Sequence, residues 1–183
     1  MLSFNLHPAV SVGIFFELLW LDLFPAGTFI PPQSLLTLSA TLTLLACLPG
    51  ADMRLTSIIL VGTLPLAYIG AWVEQSYRKR QNLSYNALLS WNRRHPGHAY
   101  RPETLTIRAV VEQSILHFGL FLLCVTPLLP LLRLAQPWLG SSPQPTWPML
   151  WILACCGAIL SLRIRKAYAC AAVTFVLGVF ATL

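Results

Sequence analysis

Two carboxylates stand inside an apolar run near the start of the chain. Glu17 and Asp22 interrupt the stretch ELLWLDLF, whose leucine, tryptophan and phenylalanine side chains suit a hydrocarbon environment. An ionisable group in a membrane segment costs roughly 2.5–3.5 kcal/mol and is therefore a functional candidate. On one continuous helix the two would lie about 140° apart, which does not predict a catalytic carboxylate pair. They favour a hydrogen-bonding site for a polyhydroxylated or cationic ligand. The alternative is that Asp22 reaches the membrane interface and Glu17 pairs with a neighbouring helix.

A second polar pair lies in the middle of the chain. Gln113 and His117 are four residues apart, so a helix would present them on one face. They could line a polar pathway for a substrate. The alternative is that they form hydrogen bonds between helices, as polar residues in membrane helices commonly do. Arg108 and Glu112 share the same spacing and predict an ion pair near the membrane interface.

Other kinds of site find no support in the sequence. His95 and His98 lack a third metal ligand nearby, and there is no phosphate-binding glycine loop or nucleophile elbow. From the sequence we therefore expect no catalytic site within this chain, no cofactor and no bound metal. The cysteines lie in apolar runs without metal-ligand spacing and are expected to pack as small apolar residues: Cys47, Cys124, Cys155, Cys156 and Cys170.

The composition places these residues in a membrane protein. Of the 183 residues, 56% are hydrophobic and only 10% are charged, whereas soluble domains carry about 25% charged residues. We therefore expect an all-α, polytopic helical membrane protein with a single membrane domain over residues 1–183. Its apolar segments are Ala9–Phe24, Ser34–Leu48, Leu55–Val73, Val110–Leu132, Trp147–Leu162 and Ala167–Leu183.

The first two apolar segments do not look like plain membrane spans. Ser34–Leu48 is shorter than the roughly 20 residues that a perpendicular span requires. The sequence between the two segments contains helix-breaking residues: Pro25, Gly27, Pro31 and Pro32. We therefore predict a broken helix or a re-entrant hairpin within residues 1–50.

The positive charge predicts how the chain is oriented. The net charge of +6 comes largely from residues 74–108 and 163–166, whereas residues 135–146 carry no charge. Basic loops favour the cytoplasmic side. Residues 74–108 are accordingly expected to form a cytoplasmic loop with a partly amphipathic helix at the interface. This account explains the charge without nucleic acid, which we do not expect as a partner.

The N-terminal motif resembles that of a known family. The stretch GIFFELLWLDLFPAGTFIPPQ, Gly13–Gln33, is similar to the signature of IIC subunits in the mannose/fructose/sorbose family of the bacterial sugar phosphotransferase system. That signature has a glycine, an apolar run with Glu or Gln before Leu, a glycine-containing turn, and Pro-Pro followed by an acidic or amide residue. Weaker similarity continues in RKRQNLSYNALL, Arg78–Leu89, and LTIRAVVEQSILHFGLFLL, Leu105–Leu123. Asp22 and Gln33 stand where the family often has Gly and Asp or Asn, as expected of a short or divergent member.

The resemblance implies a function and a set of partners. The chain would be a sugar-translocating subunit of the bacterial inner membrane, working with a IID membrane subunit and a cytoplasmic IIAB phosphocarrier, and able to form a homo-oligomer. Glu17 would face the sugar, and Pro31, Pro32 and Gln33 would shape the hairpin beside it. Two alternatives remain open. The chain could be a membrane subunit that has lost transport and serves in assembly or sensing, or an unrelated small membrane protein.

Overall fold

The structure is a computed structural model that describes residues 6–23, 30–48, 50–94, 102–139, 144–162 and 165–182. Within these ranges the chain forms six α-helices and no strand, so the expected all-helical fold is confirmed there. A short 3₁₀ helix, Gln136–Leu139, follows the fourth α-helix. The α-helices are α1 (Leu6–Leu19), α2 (Ser34–Cys47), α3 (Met53–Arg94), α4 (Pro102–Ala135), α5 (Trp147–Ser161) and α6 (Arg165–Thr182).

The helical backbone is interrupted between α1 and α2, as the sequence predicts. α1 ends at Leu19, and α2 starts only after residues 30–33, which belong to no helix or strand and are called the extended segment after the backbone conformation of Gln33. Proline favours an extended backbone at the residue before it, so Pro31 and Pro32 delay the start of α2. Gln33 precedes α2 with φ −78° and ψ 92°. Pro25 and Gly27, the other predicted breakers, lie outside the described residues.

α3 is much longer than its apolar segment. Residues 74–94, expected as a polar loop with an interfacial helix, continue α3 without a break. At 1.5 Å per residue, this polar part lengthens the helix by about 30 Å. Pro65 lies inside the apolar part, where it removes one backbone hydrogen bond without ending the helix.

α5 packs against α1 and α6, while α2 packs against α1, α3 and α4. The contact between α1 and α5 buries Val12, Phe16 and Ala154 almost completely. It is reinforced by the Trp151 indole N–H, which donates to the backbone carbonyl of Ser11 over 3.2 Å. α2 packs between α3 and α4 through two hydrophobic clusters, to which all three helices contribute. Their buried residues include Leu36, Ala40, Leu44, Ile59, Leu66, Cys124 and Leu132.

A pair of buried hydroxyl groups joins α2 to α3. The Oγ1 atoms of Thr41 and Thr63 lie 2.9 Å apart, and both residues are fully buried. Each hydroxyl also has a backbone carbonyl within reach, since Thr41 Oγ1 lies 2.7 Å from the Thr37 oxygen and Thr63 Oγ1 lies 3.0 Å from the Leu60 oxygen. One hydroxyl can therefore donate to its carbonyl while the other donates across to it, so that both buried groups are satisfied. This contact fixes α2 against the apolar part of α3.

Within the described ranges, two helices, α3 and α4, are long and apolar enough to cross a membrane. α1 and α2 have 14 residues each and α5 has 15, so they measure about 21–23 Å. That is shorter than a hydrocarbon layer of about 30 Å. Many of the large apolar side chains of α4, including Ile115, Leu123 and Leu131, are exposed on the outside of the fold.

Candidate functional site

A cleft of about 870 Å³ opens where residues 30–36 meet α3 and α4. One wall comes from the extended segment and the first turns of α2, and the other walls come from the helices that α2 joins. The polar lining residues are Gln33, Ser34, Ser39, Glu74, Arg78, Gln113, Ser114 and His117. The apolar lining residues are Ile30, Pro31, Pro32, Leu35, Leu36, Val110, Phe118 and Phe121.

The Gln33 side chain connects the three walls of this cleft. Its amide nitrogen donates a hydrogen bond to Glu74 Oε2 on α3. The same nitrogen lies 2.9 Å from His117 Nε2 on α4. The other carboxylate oxygen of Glu74 accepts from the Arg78 guanidinium one turn further along α3. The result is a continuous polar network from α4 to the rim of the cleft.

Hydrogen-bond roles in this network are mutually consistent. His117 Nδ1 lies 2.8 Å from the backbone carbonyl oxygen of Gln113. A carbonyl oxygen only accepts, so this geometry assigns the proton of a neutral imidazole to Nδ1 and leaves Nε2 as an acceptor. The Gln33 amide then gives one proton to His117 and the other to the Glu74 carboxylate. If the Gln33 amide were rotated by 180°, its oxygen would face the Glu74 carboxylate and the two acceptors would repel each other.

Gln33 is also held through its backbone and by a glycine. Its backbone N–H donates to the carbonyl oxygen of Ala67 over 3.1 Å. Gly70, one turn further along α3, lies directly beneath the side chain. A Cβ atom at Gly70 would lie 2.7 Å from Gln33 Oε1 and 3.0 Å from a Leu36 methyl carbon. The missing side chain at Gly70 therefore makes room for the Gln33 amide.

Five of the residues singled out from the sequence line the cleft together, namely Pro31, Pro32, Gln33, Gln113 and His117. They come from distant parts of the chain, and the packing of α2 against α4 brings them to one place. Their assignment as substrate-binding residues stays a prediction. The predicted ion pair is confirmed, since Arg108 Nε lies 2.7 Å from Glu112 Oε1 on the exposed side of α4.

The two carboxylates of the N-terminal motif do not line the cleft. The Glu17 side chain is exposed on α1. Asp22 follows α1, and its Oδ2 atom accepts a hydrogen bond from the Ser161 hydroxyl of α5. Its Oδ1 atom is buried and has no hydrogen-bond partner among the described residues. The structure thus places Asp22 at the junction of α1 and α5, away from Gln33.

Sequence reasoning missed Glu74 and Arg78 as cleft residues. Both lie in the polar stretch that the sequence predicts as a cytoplasmic loop with a partly amphipathic helix at the interface. The signal was nevertheless present, because Glu74 is the first residue after the apolar segment Leu55–Val73 and stands four residues before Arg78. That spacing predicts an ion pair on one helix face at the end of a membrane segment. The role of Gly70 has no signal of its own in the sequence.

The lining suits a small molecule that carries several hydroxyl groups. The Glu74 carboxylate has lone pairs that can accept hydrogen bonds, the Arg78 guanidinium can donate them, and the Gln113 amide and the serine hydroxyls can do both. Phe118 and Phe121 add an apolar wall. The one carboxylate of the cleft, Glu74, is paired with Arg78, and no cluster of three or more candidate metal ligands occurs in the described part of the chain. The geometry therefore favours binding over general acid–base catalysis.

Comparisons with family models, with curated proteins and with solved structures each returned no match for this chain.

Proposed function

We propose that the chain is a multi-pass protein of the bacterial inner membrane and the sugar-translocating, IIC-like subunit of a mannose-type phosphotransferase system. The observation that carries the proposal is the cleft beside Pro31, Pro32 and Gln33. These residues end the motif that resembles the family signature, and they lie beside polar side chains from two apolar helices.

The chemistry of the cleft supports a sugar as its ligand. Ligand sites are usually concave and largely apolar, with a few polar groups that fix the orientation of the ligand. Here Gln113 contributes a side-chain amide that makes no hydrogen bond to another described residue, and Ser34 lies across the cleft from it. A sugar ring can pack on Phe118 or Phe121 while its hydroxyls bond to these groups.

The helix lengths also fit a membrane transporter. α1 and α2, as described, are too short to cross a bilayer as perpendicular spans, but two short helices separated by non-helical residues, here 20–23 and 30–33, can form a re-entrant hairpin. Non-helical backbone is tolerated at membrane depth only where protein or a wet cavity covers it. Residues 30–33 meet that condition because they line the cleft and pack on α3.

The phosphoryl-transfer chemistry would belong to the partners. A IID membrane subunit would complete the permease, and a cytoplasmic IIAB protein would phosphorylate the incoming sugar. The polar part of α3, which carries Arg78, Lys79 and Arg80, would face the cytoplasm.

Sugar uptake in a host that lacks its own mannose-type system tests the proposal. The chain is co-expressed with IID and IIAB proteins from its own genome, and uptake and phosphorylation of labelled hexoses are measured. We expect uptake only when all components are present. If the complex assembles but transports none of the hexoses, the chain is an assembly or sensing subunit. If no complex forms, the family resemblance is accidental.

A further inference from the structure

We propose that Gly70 is a positioning residue that holds the Gln33 amide between Glu74 and His117, and that Gln33 organises the cleft without itself contacting the ligand. This inference rests on the proposed function for its ligand, whereas its geometric part stands independently.

The hydrogen-bonding groups of the Gln33 side chain are already fully occupied. Its amide nitrogen has two protons, and these go to Glu74 and His117. Its amide oxygen points at the α3 backbone, where a Cβ atom at Gly70 would come within 2.7 Å. Gln33 therefore has no free donor to offer to a sugar.

Gln33 also fixes the Glu74 carboxylate on α3 and the His117 imidazole on α4. Without its amide, the Glu74 carboxylate would keep only the Arg78 guanidinium among its described partners. His117 would lose the donor to its Nε2 atom and keep only its contact with the Gln113 carbonyl. The positions of the Glu74 carboxylate and of His117 Nε2 relative to residues 30–33 therefore depend on Gln33.

Gly70 determines where the Gln33 amide lies. A methyl group at Gly70 would lie 2.7 Å from the Gln33 amide oxygen, 3.0 Å from a Leu36 methyl carbon and 3.2 Å from Gln33 Cβ. The Gln33 side chain must then shift and give up its hydrogen bonds, with a smaller adjustment of Leu36. Alanine is a better helix former than glycine, so Gly70→Ala should leave α3 folded and displace the Gln33 amide.

The chain offers a matched control on the same helix. Gly62 also lies in the apolar part of α3, and a Cβ atom there would meet nothing within 4 Å. Gly62→Ala gives the same change in helix propensity without touching Gln33. Any effect that Gly70→Ala has and Gly62→Ala lacks is therefore due to the contacts of the new methyl group with Gln33 and Leu36, and the NMR contact between Gln33 and His117 reports on Gln33.

The experiment combines a spectroscopic readout with a binding readout. Protein labelled with ¹⁵N and ¹³C in glutamine and histidine is reconstituted in lipid bilayers. Solid-state NMR then measures the dipolar contact between the Gln33 side-chain nitrogen and the His117 ring, assigned with Gln33→Leu. Equilibrium binding of the transported hexose is measured on the same samples. We expect the contact in the wild type and in Gly62→Ala, its loss in Gly70→Ala, and about a tenfold weaker affinity in Gly70→Ala only.

The outcomes separate this inference from the proposed function. If Gly70→Ala keeps both the contact and the affinity, or if Gly62→Ala loses them equally, Gly70 is not a positioning residue. If Gln33→Leu binds the hexose as tightly as the wild type, Gln33 does not organise the cleft. If the wild type binds no hexose but the contact disappears in Gly70→Ala alone, the sugar function fails and the geometric role of Gly70 stands.

Discussion

Glu74 is the residue on which the electrostatics of the cleft depend. Its carboxylate accepts hydrogen bonds from Gln33 and Arg78, and only 13% of its side chain is exposed. Hydrogen bonds to charged groups are stronger than those between neutral groups. We therefore regard Glu74 as the acceptor that orients the network and, in the proposed function, the bound sugar.

Glu74→Gln should weaken hexose binding by about tenfold or more, because one hydrogen bond to a charged group contributes about 1.5–3 kcal/mol. The measurement is equilibrium binding of labelled hexose to the protein in lipid nanodiscs. Glu112→Gln is the matched control, since Glu112 pairs with Arg108 on α4 and does not line the cleft. Equal affinities for wild type and Glu74→Gln would remove Glu74 from the site.

The sequence identifies five of the sixteen residues that line the cleft, and it predicts none of the contacts among them. Gln113 and His117 could be placed on one helix face from their spacing alone. That they meet Gln33 follows from the packing of α2 against α4, which no local pattern specifies. Glu17 attracted attention because a carboxylate in an apolar run is expensive, yet its side chain is exposed on α1.

At the scale of helices, α2 is fixed against α3 by the hydroxyl pair of Thr41 and Thr63. Both side chains are fully buried, and their contact lies on the same helix pair that forms two walls of the cleft. Polar contacts between membrane helices contribute modestly, about 0.6 kcal/mol on average. The pair therefore helps to hold the helices in register more than it stabilises the whole fold.

Thr63→Val should lower the free energy of unfolding by about 1 kcal/mol, because Val keeps the shape of the side chain but removes the hydroxyl. The measurement is reversible unfolding in mixed micelles with increasing sodium dodecyl sulfate. Thr126→Val provides the comparison, since Thr126 is exposed on α4 and its hydroxyl bonds only to the carbonyl of Leu122. The interpretation of the buried pair is wrong if both variants unfold like the wild type.

Helix boundaries were predictable where strong breakers mark them. α2 begins directly after Pro31-Pro32-Gln33 and ends one residue before the predicted end of its segment. The polar extension of α3 was not predicted as part of the same helix, because the sequence turns from apolar to polar at Glu74. The tendency of the residues to form a helix does not fall at the same point. Residues 78–89 include Arg, Lys, Gln, Leu and Ala, which all favour helix.

At the scale of the whole molecule, the proposed transport function depends on how α3 and α4 are oriented in a membrane. The apolar parts of α3 and α4 are the two candidate spans. The basic residues that follow the first and precede the second would place the connection between them in the cytoplasm. The uncharged residues 135–146 would then lie on the outer side of the membrane.

Fusions to alkaline phosphatase and green fluorescent protein test this topology in bacterial cells. Alkaline phosphatase joined after residue 142 should be active, since it would be exported. The same enzyme joined after residue 94 should be inactive, and green fluorescent protein should fluoresce there. The reverse pattern would exclude the orientation that the charges predict, and cytoplasmic signals at both positions would exclude a span formed by α4.

Photolabelling with a hexose tests most directly whether the cleft is the sugar site. A hexose that carries a diazirine group is bound to the protein in nanodiscs, irradiated, and located by mass spectrometry of the peptides. We expect labelling of residues 30–36 and 113–121, and we expect excess unlabelled hexose to suppress it. Suppressible labelling of the peptide that contains Glu17, with none on the cleft peptides, would instead support the site that the family resemblance implies. No suppressible labelling anywhere would contradict a sugar-binding function.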